Sequence, residues 1–199
     1  MKRLLLALIL LCTAVSGAWA YKLMYAEEYY QLYHRHFVAY PSDCNENIFY
    51  LEYALKTPFV NPLNALARID NPQEWERYRY LFYLHVNLKI TEQYRLMASK
   101  YDKFTAYFYN YPWKQENLNS LRYAESYYQA ALYYWDEALK WADKLDGTPY
   151  FHLEEIQNWE DEFFRIRSGD LDYAAFIGLD LDRLARVRAA FEAMNSSTY

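Results

Sequence analysis

The sequence contains few residues that interrupt regular structure and few that cross-link it. Among its 199 residues are four glycines and two cysteines. Cys12 lies in an N-terminal segment that we expect to be removed, so Cys44 has no cysteine for an intramolecular disulfide. We interpret Cys44 as a small buried or loop residue. An intermolecular disulfide and a reactive thiol are the alternatives.

The first twenty residues have the features of a secretory signal peptide. Lys2 and Arg3 form a basic start, residues 4–12 are an apolar run too short to span a bilayer, and Ala18 and Ala20 form an A-x-A cleavage pattern. We predict cleavage after Ala20 and export to the periplasm. Lipidation at Cys12 and an uncleaved anchor are the alternatives, although the two leucines before Cys12 disfavour lipidation.

Long apolar runs and basic tracts are both absent after the signal. No later run approaches the roughly 20 apolar residues of a membrane helix, so we predict no transmembrane span in the mature chain. The signal holds two of the 21 basic residues and none of the 26 acidic ones, so its removal lowers the formal charge from −5 to about −7. An acidic chain without a basic patch disfavours nucleic acid as a partner.

The alternation that marks β-strands is absent over any useful length, whereas helical periodicity recurs throughout. We therefore predict an all-α fold of seven to nine helices: a signal peptide at 1–20, one helical domain at 21–195 and a polar tail at 196–199. The predicted helices are 21–40, 48–56, 62–69, 73–109, 122–145, 153–167, 171–177 and 181–194.

Several helix ends carry recognisable signals. Asn61 and Asn71 each precede a proline, which predicts an Asn N-cap with proline at the first helical position. The stretch 73–109 has no Pro or Gly and would be unusually long, so we predict a break or a kink near residues 88–91, with Thr91 as the candidate for a new N-cap. Gly178 is predicted to end the helix 171–177.

Further caps are predicted from polar residues next to apolar periodic segments. Asn117 or Asn119 is expected to cap the helix that contains residues 122–145. Asp170 is expected to cap the helix 171–177, and Asp180 or Asp182 the helix 181–194.

The stretch 122–145 is the clearest amphipathic helix of the chain. Small residues and rings alternate on one face at steps of four and three, the period of an α-helix. Another helix could approach such a face closely. The residues of this face are Ala124, Tyr128, Ala131, Trp135, Ala138 and Ala142.

Candidate catalytic and metal motifs fail on spacing. His34 and His36 would point about 200° apart on a helix and cannot chelate one ion. A calcium loop beginning at Asp170 would need Gly at position 175 and Glu at 181, where the chain has Ala175 and Leu181. Neighbouring acidic residues on a helix point apart, and no nucleotide or hydrolase motif occurs. We predict no catalytic residue, no cofactor and no metal site.

Tyrosine is the conspicuous excess, with 24 residues in an aromatic content of 21%. The rings fall on more than one face of the predicted helices, which favours a partner surface because Tyr and Trp are common interface anchors. Inward rings with water-facing hydroxyls are the simpler interpretation, and an aromatic-lined groove for a small ligand or peptide is another. The candidate interface residues are Tyr101, Tyr107, Tyr109, Trp113, Tyr127, Tyr134 and Trp141.

The spacing from Ala124 to Ala142 resembles tetratricopeptide-type (TPR-like) helical repeats, which place small residues and rings at helical spacing. The resemblance covers the stretches 94–109 and 122–145. The W-x-x-L-G-x-x-Y start and a 34-residue period are absent. The resemblance implies antiparallel helix pairs in a stack and a role in binding other proteins.

Two segments, YKLMYAEEYYQLYHRHF and IRSGDLDYAAFIGLDLDRL, together with the signal peptide and the tyrosine content, resemble small exported helical proteins of spirochaetes. One such group forms the periplasmic collar of the flagellar motor. This resemblance implies a non-enzymatic structural subunit that supports motor assembly and motility, with other periplasmic proteins as partners. It implies no catalytic residue.

Overall fold

The computed structural model describes residues 22–102 and 109–198, and within these ranges the chain is helical without any β-strand. Three short 3-10 helices, at Pro62–Asn64, Tyr111–Trp113 and Glu154–Ile156, lie in the connections. The α-helices are α1 (Ala26–Ala39), α2 (Cys44–Lys56), α3 (Pro72–Asp102), α4 (Lys114–Asp146), α5 (Gln157–Ser168) and α6 (Tyr173–Ala193). The predicted signal peptide lies outside the described residues.

The two longest helices, α3 and α4, form an antiparallel pair at the centre of the fold. The rings of Tyr80 and Trp141 lie 5.6 Å apart, whereas those of Tyr101 and Tyr123 lie 5.5 Å apart. Residue numbers therefore rise along α3 as they fall along α4. With 31 and 33 residues, the helices are each about 45–50 Å long at 1.5 Å per residue.

The α1 and α2 helices form a second antiparallel pair that packs on α3. Tyr29 stacks on Tyr53 with ring centroids 5.3 Å apart, and His36 is hydrogen-bonded to Asn47 at 2.9 Å. The amide of Asn47 also donates to Gln93 of α3 at 3.1 Å. Because Asn47 is fully buried, this polar contact fixes how the pair sits on α3.

The C-terminal helices pack on other sides of the central pair. α5 contacts α3 through a buried ion pair in which Arg77 donates to Glu160 at 2.5 and 2.6 Å. α6 runs antiparallel to α4, since Tyr173 meets the ring of Trp135 and Arg188 donates to Glu125 at 2.6 Å.

The predicted inward face of residues 122–145 is confirmed, since all six of its residues are at most 3% exposed. Ala138 and Ala142 belong to the core shared with α1, α3 and α5, whereas Ala124 and Ala131 belong to the core shared with α6. The small side chains let the neighbouring helices approach, and the rings fill the space between them.

The predicted break near residues 88–91 is wrong, because α3 continues without interruption. Thr91 is fully buried and its hydroxyl donates to the carbonyl of Asn87 four residues earlier, at 2.9 Å, instead of capping a new helix. Contacts on several sides hold this stretch helical, since Leu88 and Ile90 are also buried. The Asn cap upstream is confirmed, as the Asn71 side chain accepts the backbone N–H groups of residues 73 and 74.

The predicted helix end at Gly178 is also wrong, because α6 is one helix that passes through it. Asp172, and not Asp170, caps α6 by accepting the Ala175 backbone N–H at 3.1 Å. Asp180 lies inside the helix, where its carboxylate pairs with Arg95 and Arg183 instead of capping.

Other predicted helix bounds also differ from the structure. α4 begins at Lys114, one turn before the expected cap, and Asn117 lies buried inside it. α2 begins at Cys44, capped by Asp43, so it is longer than the predicted 48–56. The predicted helix 62–69 is reduced to the 3-10 helix Pro62–Asn64.

The substitution Gly178→Ala should stabilise the protein by about 0.5–1 kcal/mol, because glycine inside a helix costs conformational entropy on folding. A Cβ atom at this position would meet no atom within 4 Å. The free energy of unfolding from urea titration measures the change. The matched control is Gly169→Ala, at a φ of 80°, which should destabilise the protein. A destabilising Gly178→Ala would contradict a continuous α6.

Candidate functional site

A continuous chain of tyrosine rings runs along one edge of the α3–α4 pair, and we call it the tyrosine strip. Its six rings contact one another in sequence, with centroid separations from 5.2 to 6.3 Å, the range of favourable aromatic pairs. In order along the strip they are Tyr123, Tyr101, Tyr127, Tyr94, Tyr134 and Tyr133.

Helix geometry explains why these rings meet. Tyr94 and Tyr101 are seven residues apart on α3, and Tyr127 and Tyr134 are seven apart on α4, so each pair lies on one helical face. The antiparallel direction of the two helices brings Tyr94 between Tyr127 and Tyr134, at 6.3 and 5.7 Å. The strip is therefore assembled from two faces that are far apart in sequence.

The ends of the strip are exposed and its middle is partly covered. Tyr123 is 56% exposed and Tyr133 is 59% exposed, whereas Tyr94 is half-buried. α2 covers the middle, where Ile48 packs near Tyr94. The hydroxyl of Tyr134 donates to the Glu52 carboxylate of α2 at 2.8 Å.

The partly covered hydroxyls keep their protons at neutral pH. Burial, followed by the hydrogen bond to Glu52 and the charge of Glu52, raises the pKa of Tyr134. Burial is also the main cause that raises the pKa of Tyr94, and burial followed by the proximity of Tyr101 raises that of Tyr127. The strip is thus an uncharged surface of rings with hydrogen-bonding hydroxyls.

Three of the predicted interface residues, Tyr101, Tyr127 and Tyr134, belong to the strip. Trp141 lies on the same face of α4, seven residues after Tyr134, but its ring stacks on Tyr83 at 4.3 Å and is half-buried. Trp141 therefore contributes to the packing between α3 and α4.

The other predicted residues lie near the connection between α3 and α4. The Tyr109 ring stacks on Phe191 of α6 at 5.1 Å, and Trp113, 52% exposed, immediately precedes α4. The structure does not bring these two residues into the strip by any ring contact among the described residues. Tyr107 lies outside the described residues.

The sequence prediction omitted three members of the strip: Tyr94, Tyr123 and Tyr133. The seven-residue spacing from Tyr94 to Tyr101 was the available signal for the first. For the other two the signals were the four-residue step from Tyr123 to Tyr127 and the adjacency of Tyr133 to Tyr134.

A buried polar chain crosses the fold on another side of α3. The Tyr30 hydroxyl is 2.9 Å from Nε2 of His85, and Nδ1 of His85 is 2.6 Å from the Glu162 carboxylate. Glu162 also pairs with Lys89 at 3.2 Å. Burial opposes ionisation of Glu162, but His85 and Lys89 outweigh it and hold the pKa of Glu162 below its ordinary value.

The geometry of this polar chain would allow a proton to move between Tyr30 and Glu162 through His85. His85 is only 3% exposed, however, and its ring stacks on Trp159 at 4.9 Å. The polar chain of Tyr30, His85 and Glu162 therefore joins α1, α3 and α5 through matched hydrogen-bond donors and acceptors. The buried histidine does not face an open cleft.

A polar cleft of about 360 Å³ lies between α3, α4 and α6. Its floor is the buried Asp102, which accepts hydrogen bonds from Arg183 and, at 3.0 Å, from the Tyr128 hydroxyl. Arg95 and Asp180 form an ion pair at its edge. Charges of both signs compensate each other here, so the cleft has no strong preference for an anion or a cation.

Metal ligands and membrane-spanning helices were the remaining features considered in the sequence, and residues 22–102 and 109–198 bear on both. No group of three or more His, Cys, Asp or Glu side chains in these ranges is arranged to hold a metal ion. None of the helices in these ranges is both long and apolar enough to cross a membrane.

Raising the pH should destabilise the fold, because its buried tyrosines resist ionisation. Burial raises the pKa of Tyr30 to about 12, while the unfolded chain ionises near 10. The stabilising contribution is thus complete below pH 10 and is lost as pH rises toward 12, amounting to about 2 kcal/mol for Tyr30. Urea titrations between pH 8 and pH 12, with tyrosinate absorbance, measure the loss.

The matched control for this titration is Tyr30→Phe, which has no hydroxyl to ionise. Its free energy of unfolding should fall less steeply between pH 10 and pH 12 than that of the wild type. Equal slopes in the two proteins would contradict the raised pKa of Tyr30.

Comparison with known proteins identifies a family for this chain. The model of a family described as a domain of unknown function (DUF8513) matches residues 73–194, which span α3 to α6. No curated protein matches the chain, and no solved structure does.

Proposed function

The chain belongs to the DUF8513 family, whose function is unknown, and we propose that it is a non-enzymatic scaffold protein of the periplasm. In this proposal it acts by binding other periplasmic proteins through the tyrosine strip. Rigid helices hold the rings in place, and partner side chains pack against them.

The tyrosine strip is the observation that carries this proposal. Tyr123 and Tyr133 expose more than half of their surface although both adjoin other rings. Contiguous exposed aromatic surface commonly marks a protein interaction site, because tyrosine offers large contact area and a hydroxyl at low entropic cost. The strip lies on long helices, which favours a preformed surface over one that orders on binding.

The architecture supports a scaffold role. The antiparallel pairs α1–α2 and α3–α4 are the kind of unit from which helical stacks are built. A TPR-like arrangement of these pairs is accordingly part of the proposal, although α3 and α4 are longer than the helices of a 34-residue repeat.

The periplasmic setting rests on the sequence. A basic start, a short apolar run and an A-x-A pattern support export with cleavage after Ala20. The resemblance to spirochaetal collar proteins supports flagellar-motor components as partners, with assembly and motility as the process served. Both elements are proposals that extend beyond the described residues.

A groove for a small ligand is the competing function, and the structure offers it less support. The open cleft beside Tyr123 is lined by Asn119, Arg122 and Ser126 and contains a single ring. Neighbouring rings of the strip have centroids 5.2 to 6.3 Å apart, too close for a flat ligand to enter between them. We therefore favour a protein partner.

The double substitution Tyr123→Ala and Tyr133→Ala should weaken partner binding by roughly 30-fold or more, since aromatic anchors contribute about 1–2 kcal/mol each. The partner would be cross-linked in the periplasm, identified and then titrated against purified variants. The matched control is Tyr150→Ala, which removes a ring of similar exposure, 52%, away from the strip. An unchanged dissociation constant in the double variant would refute the strip as the binding surface.

Deletion of the gene should impair swimming and alter the flagellar motor, because a scaffold subunit would be missing. Tracking of single cells and tomography of the cell envelope measure both effects, and restoration of the wild-type gene is the control. A deletion strain with normal swimming and a normal envelope would remove the flagellar part of the proposal.

A further inference from the structure

The outward face of α2 carries two rings between two opposite charges. Glu46, Phe49, Tyr53 and Lys56 follow one another at steps of three, four and three residues, so they lie within an arc of about 80° on the helix. Their arc faces away from Leu51, which is fully buried. Phe49 is 46% exposed, Tyr53 is 41% exposed and the Lys56 side chain is 66% exposed.

Ring contacts join this face to α1. Phe49 and Tyr53 have centroids 4.6 Å apart, and Tyr53 stacks on Tyr29 at 5.3 Å. The apolar surface therefore continues from α2 onto the neighbouring helix. It lies on the side of α2 that points away from α3, and none of its four residues belongs to the tyrosine strip.

The order of the four residues is self-complementary. A second α2 helix can be placed antiparallel against this face, with the two-fold axis at the height of Leu51 along the helix. Glu46 of one copy then lies opposite Lys56 of the other, and Phe49 lies opposite Tyr53. A parallel alignment in the same register would instead place like charges opposite each other. Glu46 forms no ion pair with any described residue, and Lys56 pairs with Glu52 of its own helix at 3.1 Å.

We propose that this face of α2 binds a second copy of the chain in an antiparallel, two-fold symmetric dimer. Two-fold interfaces use the same patch on both copies, so each contact occurs twice. The dimer would contain two ion pairs between Glu46 of one copy and Lys56 of the other. Between them the rings of Phe49 and Tyr53 would interleave across the axis.

Charge order is the reason to favour a second copy over an unrelated partner. An unrelated partner would require only that the face be complementary to that partner's surface, with no constraint on the order of its own charges. Here the acid, ring, ring, base order is complementary to its own reversed copy, which is the condition that a two-fold dimer imposes. This inference does not rest on the proposed function, because none of the four residues belongs to the tyrosine strip. The two surfaces are neighbours, since Glu52 bonds to both Lys56 and Tyr134.

The size of the face indicates a weak dimer. α2 has 13 residues and is about 20 Å long, and α1 adds a second helix width of about 10 Å. A patch of that size buries on the order of 800 Å² in total, which is below the range of stable complexes and within that of weak, transient ones. We expect a dissociation constant on the order of 10 µM.

Charge reversal tests the dimer. Sedimentation velocity of the protein purified after export should show a concentration-dependent dimer in the wild type. Glu46→Lys and Lys56→Glu should each weaken it by roughly tenfold or more, because each places like charges opposite one another. An equimolar mixture of the two variants should dimerise again, since every charge then faces its opposite.

The mixture also distinguishes a loss of association from a loss of folding. It contains only the two variants that were measured separately, so a dimer that returns on mixing shows that both variants are folded. The double variant, with both changes in one chain, should recover the wild-type constant, and Phe49→Ala should weaken the dimer while leaving the charges intact. Tyr150→Ala should leave the dimer unchanged. A wild type that stays monomeric at about 200 µM, or a mixture that stays as monomeric as its components, would overturn the proposal.

Discussion

The close approach of helices along α4 is the constraint on which the rest of the structure depends. Ala124, Ala131 and Ala138 have no exposed surface, and their small side chains let α3, α5 and α6 come near the α4 backbone. Aromatic rings fill the space that remains between the helices. Tyr128 and Trp135 lie in register with the alanines and are buried. Tyr127 and Tyr134 lie out of register and belong to the tyrosine strip, whereas Trp141, also out of register, packs on Tyr83 of α3.

Much of the fold follows from local sequence patterns, and the helix ends that were predicted wrongly share one cause. The all-α class, the buried face of α4 and the Asn71 cap could be predicted from periodicity and capping chemistry. Thr91 and Gly178 suggested helix ends that the structure does not have. Local signals at these positions are worth about 1 kcal/mol, and packing of the helix on its neighbours outweighs them.

The candidate site could be predicted only in part, because it depends on register between distant segments. Tyr94 meets Tyr134 across 40 residues, and His85 meets Glu162 across 77. Periodicity shows which face of a helix a residue occupies, but the sliding of one helix along another decides which rings touch. Both partners of His85, Tyr30 and Glu162, are likewise distant from it in sequence, and both of its nitrogens are bonded in the fold.

The hydroxyl groups of the tyrosine strip change how its exposed rings meet water. A strip of phenylalanines with the same exposure would favour aggregation, because each ring would present only apolar surface to water. Tyrosine keeps the ring for contact while its hydroxyl hydrogen-bonds to solvent. The composition of the chain follows the same preference, with 24 tyrosines against 11 phenylalanines.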